Sequence, residues 1–349
     1  MMIKKVNRYI SNSRYISIPV TVKLTIKVMD RQQQLLLLCP ESNIHYDVIP
    51  SIDLPLDFRS IKEEIVFHQV TNQGHPIPRL IAIQGTILSN GNRHIISGVS
   101  EQMDDVLLKP IYRHPMDFQP DVVSWTPSVL AVKNYLSNKF NQDLNHCLIQ
   151  LYRDGQDSIG EHADKTLDIK WNSSIINYSI GATRVMHLRL KERGEDRKLV
   201  KVPLKHNSAY VLDWCTNQLY LHGIRPDKRL EQEKTIDEKA YHGERISFTF
   251  RTIDTFIDSN NNLYGQGARR VSSSSSSSSL QTHPLLDSPS PKQQQEEEQL
   301  LFEESLSLMK AFSLENNSST LEWHDIYGEG FQVINFQTLN DRSNDRSND

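Results

Sequence analysis

His162 and Asp164 stand two positions apart in the stretch IGEHADKT. On a strand, positions i and i+2 share a face, so both side chains can reach one ion. His222, in the strand-like LYLHGI, can complete a set of three. Two imidazoles and one carboxylate on one face of an ion leave positions open, the pattern that suits non-haem Fe(II). The chain has 13 histidines, so one His-x-Asp can arise by chance. His222 alone would read as a core or surface histidine, and the case rests on what surrounds the three.

Downstream, RISFTFR occupies residues 245–251. A period-two strand puts Arg245, Ser247, Thr249 and Arg251 on one face and Ile246, Phe248 and Phe250 on the other. Two arginines on one face of such a strand are costly unless an anion meets them. A dicarboxylate would do so, because a guanidinium fork holds a carboxylate bidentately. Ion pairing to acidic side chains is the other reading.

These side chains need strands to carry them. The candidates are IPRLIAIQGT (77–86), CLIQLYR (147–153), SSIINYSIG (173–181), RVMHLRL (184–190), LVKVPL (199–204), SAYVLDW (208–214), QLYLHGI (218–224) and RISFTFRTI (245–253). Each is short, rich in β-branched or aromatic residues and bounded by Gly, Asn, Asp or Lys clusters. One helix interrupts them. Thr126 can cap it, Pro127 suits its first turn, and Val129, Val132, Leu136 and Phe140 recur at helical spacing. Many short strands after a helix predict a jelly roll, a mainly β fold with flanking helices (α+β), rather than a doubly wound sheet. A second helix over 296–312 would align Leu301, Leu308 and Phe312, with Leu300 or Phe302 at its edges.

The 349 residues are 37% hydrophobic, below the roughly 45–50% of a compact chain, so part of the length lies outside the core. The tracts VSSSSSSSSLQ (271–281) and QQQEEE (293–298) are expected to be disordered. Residues 261–349 carry 6 basic and 13 acidic side chains; residues 1–260 carry 33 and 30. The acidity therefore belongs to the tail, and the near-neutral body excludes a uniformly basic nucleic-acid coat. Arg184, Arg189, Lys191, Arg193, Arg197, Lys198, Lys201 and Lys205 cluster in one hairpin-like region that either tracks a phosphate backbone or is simply solvated. No stretch approaches about 18 apolar residues, so no membrane helix is expected. Cys39, Cys147 and Cys215 form no disulfide framework, which favours a reducing compartment. The first 29 residues hold six basic side chains and no acid. An ordinary basic terminus and a nuclear or cytoplasmic location are preferred over a mitochondrial presequence. The expected divisions are a basic extension (1–50), a lid and support region (51–145), the jelly-roll core (146–258), an acidic low-complexity linker (259–295) and a carboxy-terminal helix and tail (296–349).

The run LIQLYRDGQDSIGEHADKT, followed by SIGATR, LHGI and RISFTFR, resembles the AlkB-type Fe(II)/2-oxoglutarate dioxygenases. The resemblance covers roughly residues 76–256 and is strongest to an uncharacterised, largely fungal subgroup. The features shared with it are YRHP (112–115), GEHADKTLDI (160–169), LYGQGARR (263–270) and AFSLENN…YGEGF (311–331). It implies that His162, Asp164 and His222 ligate Fe(II), and that Arg251 and Arg245 hold the two carboxylates of 2-oxoglutarate, with Arg245 at the distal one. It also implies that Tyr152 donates its hydroxyl to that cosubstrate. Gln150 and Ser247 stand where the family usually has asparagine, and both can still hydrogen-bond. The cosubstrates would be 2-oxoglutarate and O2, and the outcome hydroxylation of a C–H bond.

Family members that repair nucleobases carry an acid just after the iron-binding aspartate. Here Lys165 and Thr166 follow, with no acid until Asp168. The hairpin TILSNGNRHIISG lacks aromatic residues for stacking a flipped base. The resemblance still implies oxidative demethylation of alkylated nucleobases, with methylated DNA or RNA as partner. The alternatives are an oxygenase acting on a protein side chain or small metabolite, and a binding protein that keeps the fold without turnover. The segments around 76–115 are the expected lid.

Overall fold

The computed structural model describes residues 40–54, 57–89, 107–117, 119–192, 197, 199–269 and 291–334. The basic terminus with VTVKLTIKV, hairpin residues 90–98 and the serine tract lie outside these residues. The chain divides into Met1–Ser42 and Asn43–Asp349, and the second unit carries the elements below.

Ten described strands form its centre. They are β1 (Ile44–His45), β2 (Leu80–Gly85), β3 (His146–Tyr152), β4 (Ile159–His162), β5 (Ile175–Gly181), β6 (Arg184–Leu190), β7 (Leu199–Leu204), β8 (Ser208–Leu212), β9 (Tyr220–Ile224) and β10 (Arg245–Arg251). One sheet runs β1-β8-β5-β10-β3-β2 and the other β7-β6-β9-β4. Neighbours pair antiparallel throughout. From β3 to β10 the chain passes from one sheet to the other at every connection but β6–β7, which is the jelly-roll topology expected from the sequence.

The central strand β10 alternates as its sequence dictates. Ile246, Phe248 and Phe250 join the core between the larger sheet and two helices, α1 (Phe58–Glu64) and α2 (Pro127–Phe140). Val129, Val132 and Leu136 of α2 are fully buried there. Each such side chain contributes about 1.5–3 kcal/mol of burial. Opposite it, Arg245, Ser247, Thr249 and Arg251 face the second sheet. Registers set Arg245 against Tyr152 and Gly181, and Ser247 against Gln150 and Ser179.

Local expectations shift in four places. Thr126 has the extended backbone of a cap, but its side chain makes no capping bond. The Glu64 carboxylate does that work instead, accepting from Ser128 N at 3.0 Å and Ser128 Oγ at 2.5 Å. SAYVLDW and QLYLHGI are not strands to their ends, because a short helix α3 (Trp214–Leu219) lies between them. Asp213 caps it, accepting from Thr216 N at 2.7 Å. The segment QQQEEE is helical, not disordered: α4 spans Pro291–Asn317. Gln and Glu are strong helix formers, which offsets their low hydrophobicity. Residues 259–269, expected within the linker, include strand Leu263–Gly265, paired with Thr255–Ile257.

The tail packs on the body. Leu308, Ala311 and Phe312 of α4 bury against Leu167, with Trp323 and Tyr327 of α5 (Trp323–Tyr327). Leu300 and Leu301, expected on or beside the apolar face, are exposed.

Candidate metal centre and cosubstrate pocket

Strand β9 lies beside β4, with His222 opposite His162. Gly223 permits this approach, since a Cβ there would lie 2.9 Å from Ile159 O and 3.0 Å from Glu161 N. A register shift between His222 and Ile224 marks a bulge, a common device for re-aiming a side chain beside a site. The two imidazole rings sit 4.4 Å apart. Strand β4 ends at His162, so Asp164 stands just beyond it rather than on it. Asn217 of α3 fixes that position by bonding both Asp164 N and Asp164 O at 2.9 Å.

The geometry suits one ion. Nε2 of His162 and Nε2 of His222 are each 3.6 Å from Asp164 Oδ1, too long for hydrogen bonds. The three ligand atoms all lie within 4.8 Å of one another. His162 Nδ1 sits 2.8 Å from Gly160 O. A proton on Nδ1 for that bond leaves Nε2 with its lone pair facing the centre. His222 Nδ1 is buried without a partner. Burial, helped by the facing His162, lowers the His222 pKa to about 3, so the ring is neutral and able to ligate. Burial works to raise Asp164, but Arg251 and the two histidines hold it well below the usual carboxylate range.

Arg251 closes one end of the pocket. Its Nη2 and Nε both donate to Asp164 Oδ2, at 2.6 and 3.2 Å. Its guanidinium lies 3.9 Å from the centroid of the Tyr112 ring, a cation–π contact. Arg245, fully buried, marks the other end of β10. Its Nη2 donates to Ser179 Oγ at 2.7 Å, Ser247 Oγ at 3.1 Å and Asn177 Oδ1 at 3.2 Å. Its Nε and Nη1 have no partner. Burial pulls this guanidinium down to about 10. A buried cation with two unmet donors is expensive, and an anion supplied from the cavity would answer it.

Beside them lies a cavity of about 400 Å³, lined by the triad, Tyr152, Gln150, Ser247, Asn177 and Arg251 among others, with Arg245 behind Ser247 and Asn177. The Tyr152 ring packs 5.1 Å from the Arg245 guanidinium. Gln150 Oε1 accepts from Arg79 Nε at 2.6 Å. Ser247 Oγ accepts from Asn177 Nδ2 at 2.9 Å as well as from Arg245. Met186, read from sequence as core, also lines the cavity. Ile77, Pro78, Arg79 and the 114–116 turn rim it, whereas no residue of 225–244 does.

Sequence reasoning did not anticipate Asn177, Ser179, Tyr112 or Asn217. Single polar residues on strands and short helices carry no spacing signal. Nor did it show what the tail touches. Glu315 Oε1 accepts from Thr166 N at 3.0 Å and Thr166 Oγ1 at 2.5 Å. Asn316 Oδ1 accepts from Ala163 N at 3.0 Å and Lys165 Nζ at 2.5 Å. Trp323 Nε1 donates to Thr166 O at 3.0 Å. Asp168, the first acid after Asp164, does not line the cavity and forms a fully buried pair with Arg113 at 2.7 Å. Arg113 also donates to Gly267 O, Phe331 O and Val333 O.

Much of the basic hairpin is occupied inside the protein. Arg184 donates to three carbonyls, Arg189 to Glu161, Lys191 to Glu315 O and Arg197 to Leu190 O. Arg193 and Lys198 lie outside the described residues.

The residues present therefore fit Fe(II) and a dicarboxylate: two imidazoles and one ionised carboxylate within reach of one ion, and a buried guanidinium with unmet donors. Comparison with known proteins agrees. Bovine alpha-ketoglutarate-dependent dioxygenase alkB homolog 3 is 29% identical over 137 residues, 37% of this chain and 43% of that protein. Human DNA oxidative demethylase ALKBH2 is 30% identical over 134 residues, 37% of this chain and 47% of that protein. The chain thus spans about half the length of the curated relatives it matches. The solved structure of OsALKBH1 aligns with TM-score 0.33 and 17% identity, covering 56% of this chain and 88% of that one. The family model for the 2OG-Fe(II) oxygenase superfamily matches residues 77–251, a segment holding the triad and both arginines, and the chain belongs to that superfamily.

Proposed function

We propose that the protein is an Fe(II)/2-oxoglutarate-dependent dioxygenase that oxidatively demethylates alkylated nucleobases in DNA or RNA. The observation that carries the reading is a single cavity walled by the His162–Asp164–His222 set, Arg251, Tyr152, Asn177 and Ser247, with the buried guanidinium of Arg245 held behind that wall by Asn177 and Ser247. The names of the human and bovine relatives, a DNA oxidative demethylase and an alkB homolog, support the choice of substrate.

His162, Asp164 and His222 would hold the iron, and Arg251 and Arg245 the carboxylates of 2-oxoglutarate. Bound there, the two supply oxidising power, O2 being consumed as 2-oxoglutarate becomes succinate and CO2 and a substrate C–H is hydroxylated. The chain's own work is orientation and exclusion of water. Arg251 braces Asp164 so that Oδ1 stays turned to the histidines. Gly160 O fixes the His162 tautomer. Arg245 is held by Ser179, Ser247 and Asn177, which fixes its guanidinium before any cosubstrate binds. On an N-methyl substrate the hydroxylated product falls apart to formaldehyde and the free base.

The test is formaldehyde release with Fe(II), ascorbate and 2-oxoglutarate, using methylated single- and double-stranded DNA and RNA. Release that requires 2-oxoglutarate and is lost in His222→Ala is expected. Succinate formation with no formaldehyde from any nucleic acid would contradict the demethylase reading and leave an oxygenase of other substrates.

A further inference from the structure

Asn316 belongs to the tail, outside the segment the family model matches, yet it lines the cavity beside the triad. Its amide meets two groups that can only donate, the Ala163 N–H and the Lys165 ammonium. Neither has a lone pair to offer, so the amide atom facing them is the oxygen. Ala163 lies between two metal-site residues, which puts this amide one residue from the reacting centre. The NH2 end is left over, and it makes no hydrogen bond among the described residues.

The charge around it points the same way. Two carboxylates line the cavity, Glu161 and Asp164. Glu161 accepts from Arg189 at 2.9 Å and Arg225 at 3.0 Å, and Asp164 faces the histidines and Arg251. Arg79 adds positive charge to the wall, as does Lys165, whose ammonium faces the Glu315 carboxylate at 3.9 Å from behind it. Among the described residues, no unpaired carboxylate lines the cavity.

Two chemical classes of methylated base differ in what they need from such a wall. Methylation of a ring nitrogen that carried a lone pair beside an exocyclic amine gives a cation with N–H donors next to the methyl. Methylation of a ring N–H next to a carbonyl leaves a neutral ring with a carbonyl acceptor there. The first class wants a free carboxylate; the second wants a donor.

We propose that the cavity selects the second class, neutral bases methylated on a lactam or imide nitrogen, with Asn316 Nδ2 donating to the adjacent carbonyl. The proposal rests on the demethylase reading above. It makes Asn316 a specificity-determining residue delivered by the tail.

The test uses the full chain with Fe(II) and 2-oxoglutarate and matched single-stranded oligonucleotides carrying 3-methyluracil or 3-methylcytosine. These bases differ in a carbonyl or an amine beside the methylated nitrogen. The ratio of kcat/KM for formaldehyde release should favour 3-methyluracil by about tenfold or more in the unaltered protein. Asn316→Asp keeps an oxygen toward Ala163 and Lys165 but exchanges the donor for an acceptor, and should lower that ratio at least about tenfold. Asn316→Ala should bring it toward one. A preference for 3-methylcytosine in the unaltered protein overturns the proposal without needing any variant. So does a ratio that Asn316→Asp leaves unchanged, and in both cases demethylation itself stands. Absence of formaldehyde from every methylated base, with succinate still formed, removes the demethylase reading and the proposal with it.

Discussion

Arg245 is the residue whose isolation says most. It is buried, cationic and short of two hydrogen-bond partners, and Ser247, Ser179 and Asn177 hold its third nitrogen. Arg245→Lys keeps a charge but removes the fork. It should raise the KM for 2-oxoglutarate by about 10- to 100-fold, the scale of a charge-assisted bidentate pair. Initial-rate succinate formation against 2-oxoglutarate concentration checks this, and an unchanged KM would deny Arg245 the distal carboxylate. Asp168 makes the complementary case. It is the first acid after Asp164 in the sequence, but it lies in a sealed pair with Arg113. Asp168→Asn should cost about 3–5 kcal/mol of stability through the stranded guanidinium. Denaturant unfolding measures it, and a loss below about 1 kcal/mol would be inconsistent with the pair's burial.

At the scale of elements, the tail is part of the site's support. Glu315 and Asn316 satisfy Thr166 N–H and Ala163 N–H in the loop that carries Asp164. Glu315→Ala leaves Thr166 N, Thr166 Oγ1 and Tyr327 Oη without their acceptor. It should weaken Fe(II) affinity by about tenfold, as supports behind metal ligands commonly do. Anaerobic Fe(II) titration reads this, and unchanged affinity would make the contact purely a matter of tail docking. Phe312→Ala should cost about 3–5 kcal/mol where the tail packs, seen as faster amide exchange in α4; protection equal to the parent would contradict that packing. What the sequence made legible at this scale was alternation. The period-two pattern of RISFTFR put both arginines on one face, and β-branched runs located most jelly-roll strands to within two or three residues, but β4, which carries His162, was not among the runs because IGEH is too short and polar to show one. Helix α3 was hidden because Trp214–Leu219 is too short for a period to show, and its capping Asp213 reads equally as a strand-end turn. The start of α4 was masked by composition, since Gln and Glu runs suit disorder and helix alike.

For the whole molecule, the triad and the arginine pair were readable from spacing together with family resemblance, because strand registers bring residues 60 or more positions apart into line, as His162 opposite His222 shows. The tail's contribution was not readable. A hydrogen bond from Ala163 to Asn316 spans 153 residues and leaves no local pattern. The protein is thus a family core with a second wall supplied by its carboxy-terminal tail. The claim that everything rests on is that this cavity is an Fe(II)/2-oxoglutarate centre. Anaerobic calorimetric titration of 2-oxoglutarate into the protein, with and without Fe(II), addresses it most directly. Binding at one site per chain that tightens at least about tenfold with Fe(II), and loses that gain in Asp164→Ala, is the predicted result. Binding indifferent to Fe(II), or no binding with iron loading verified, would contradict it.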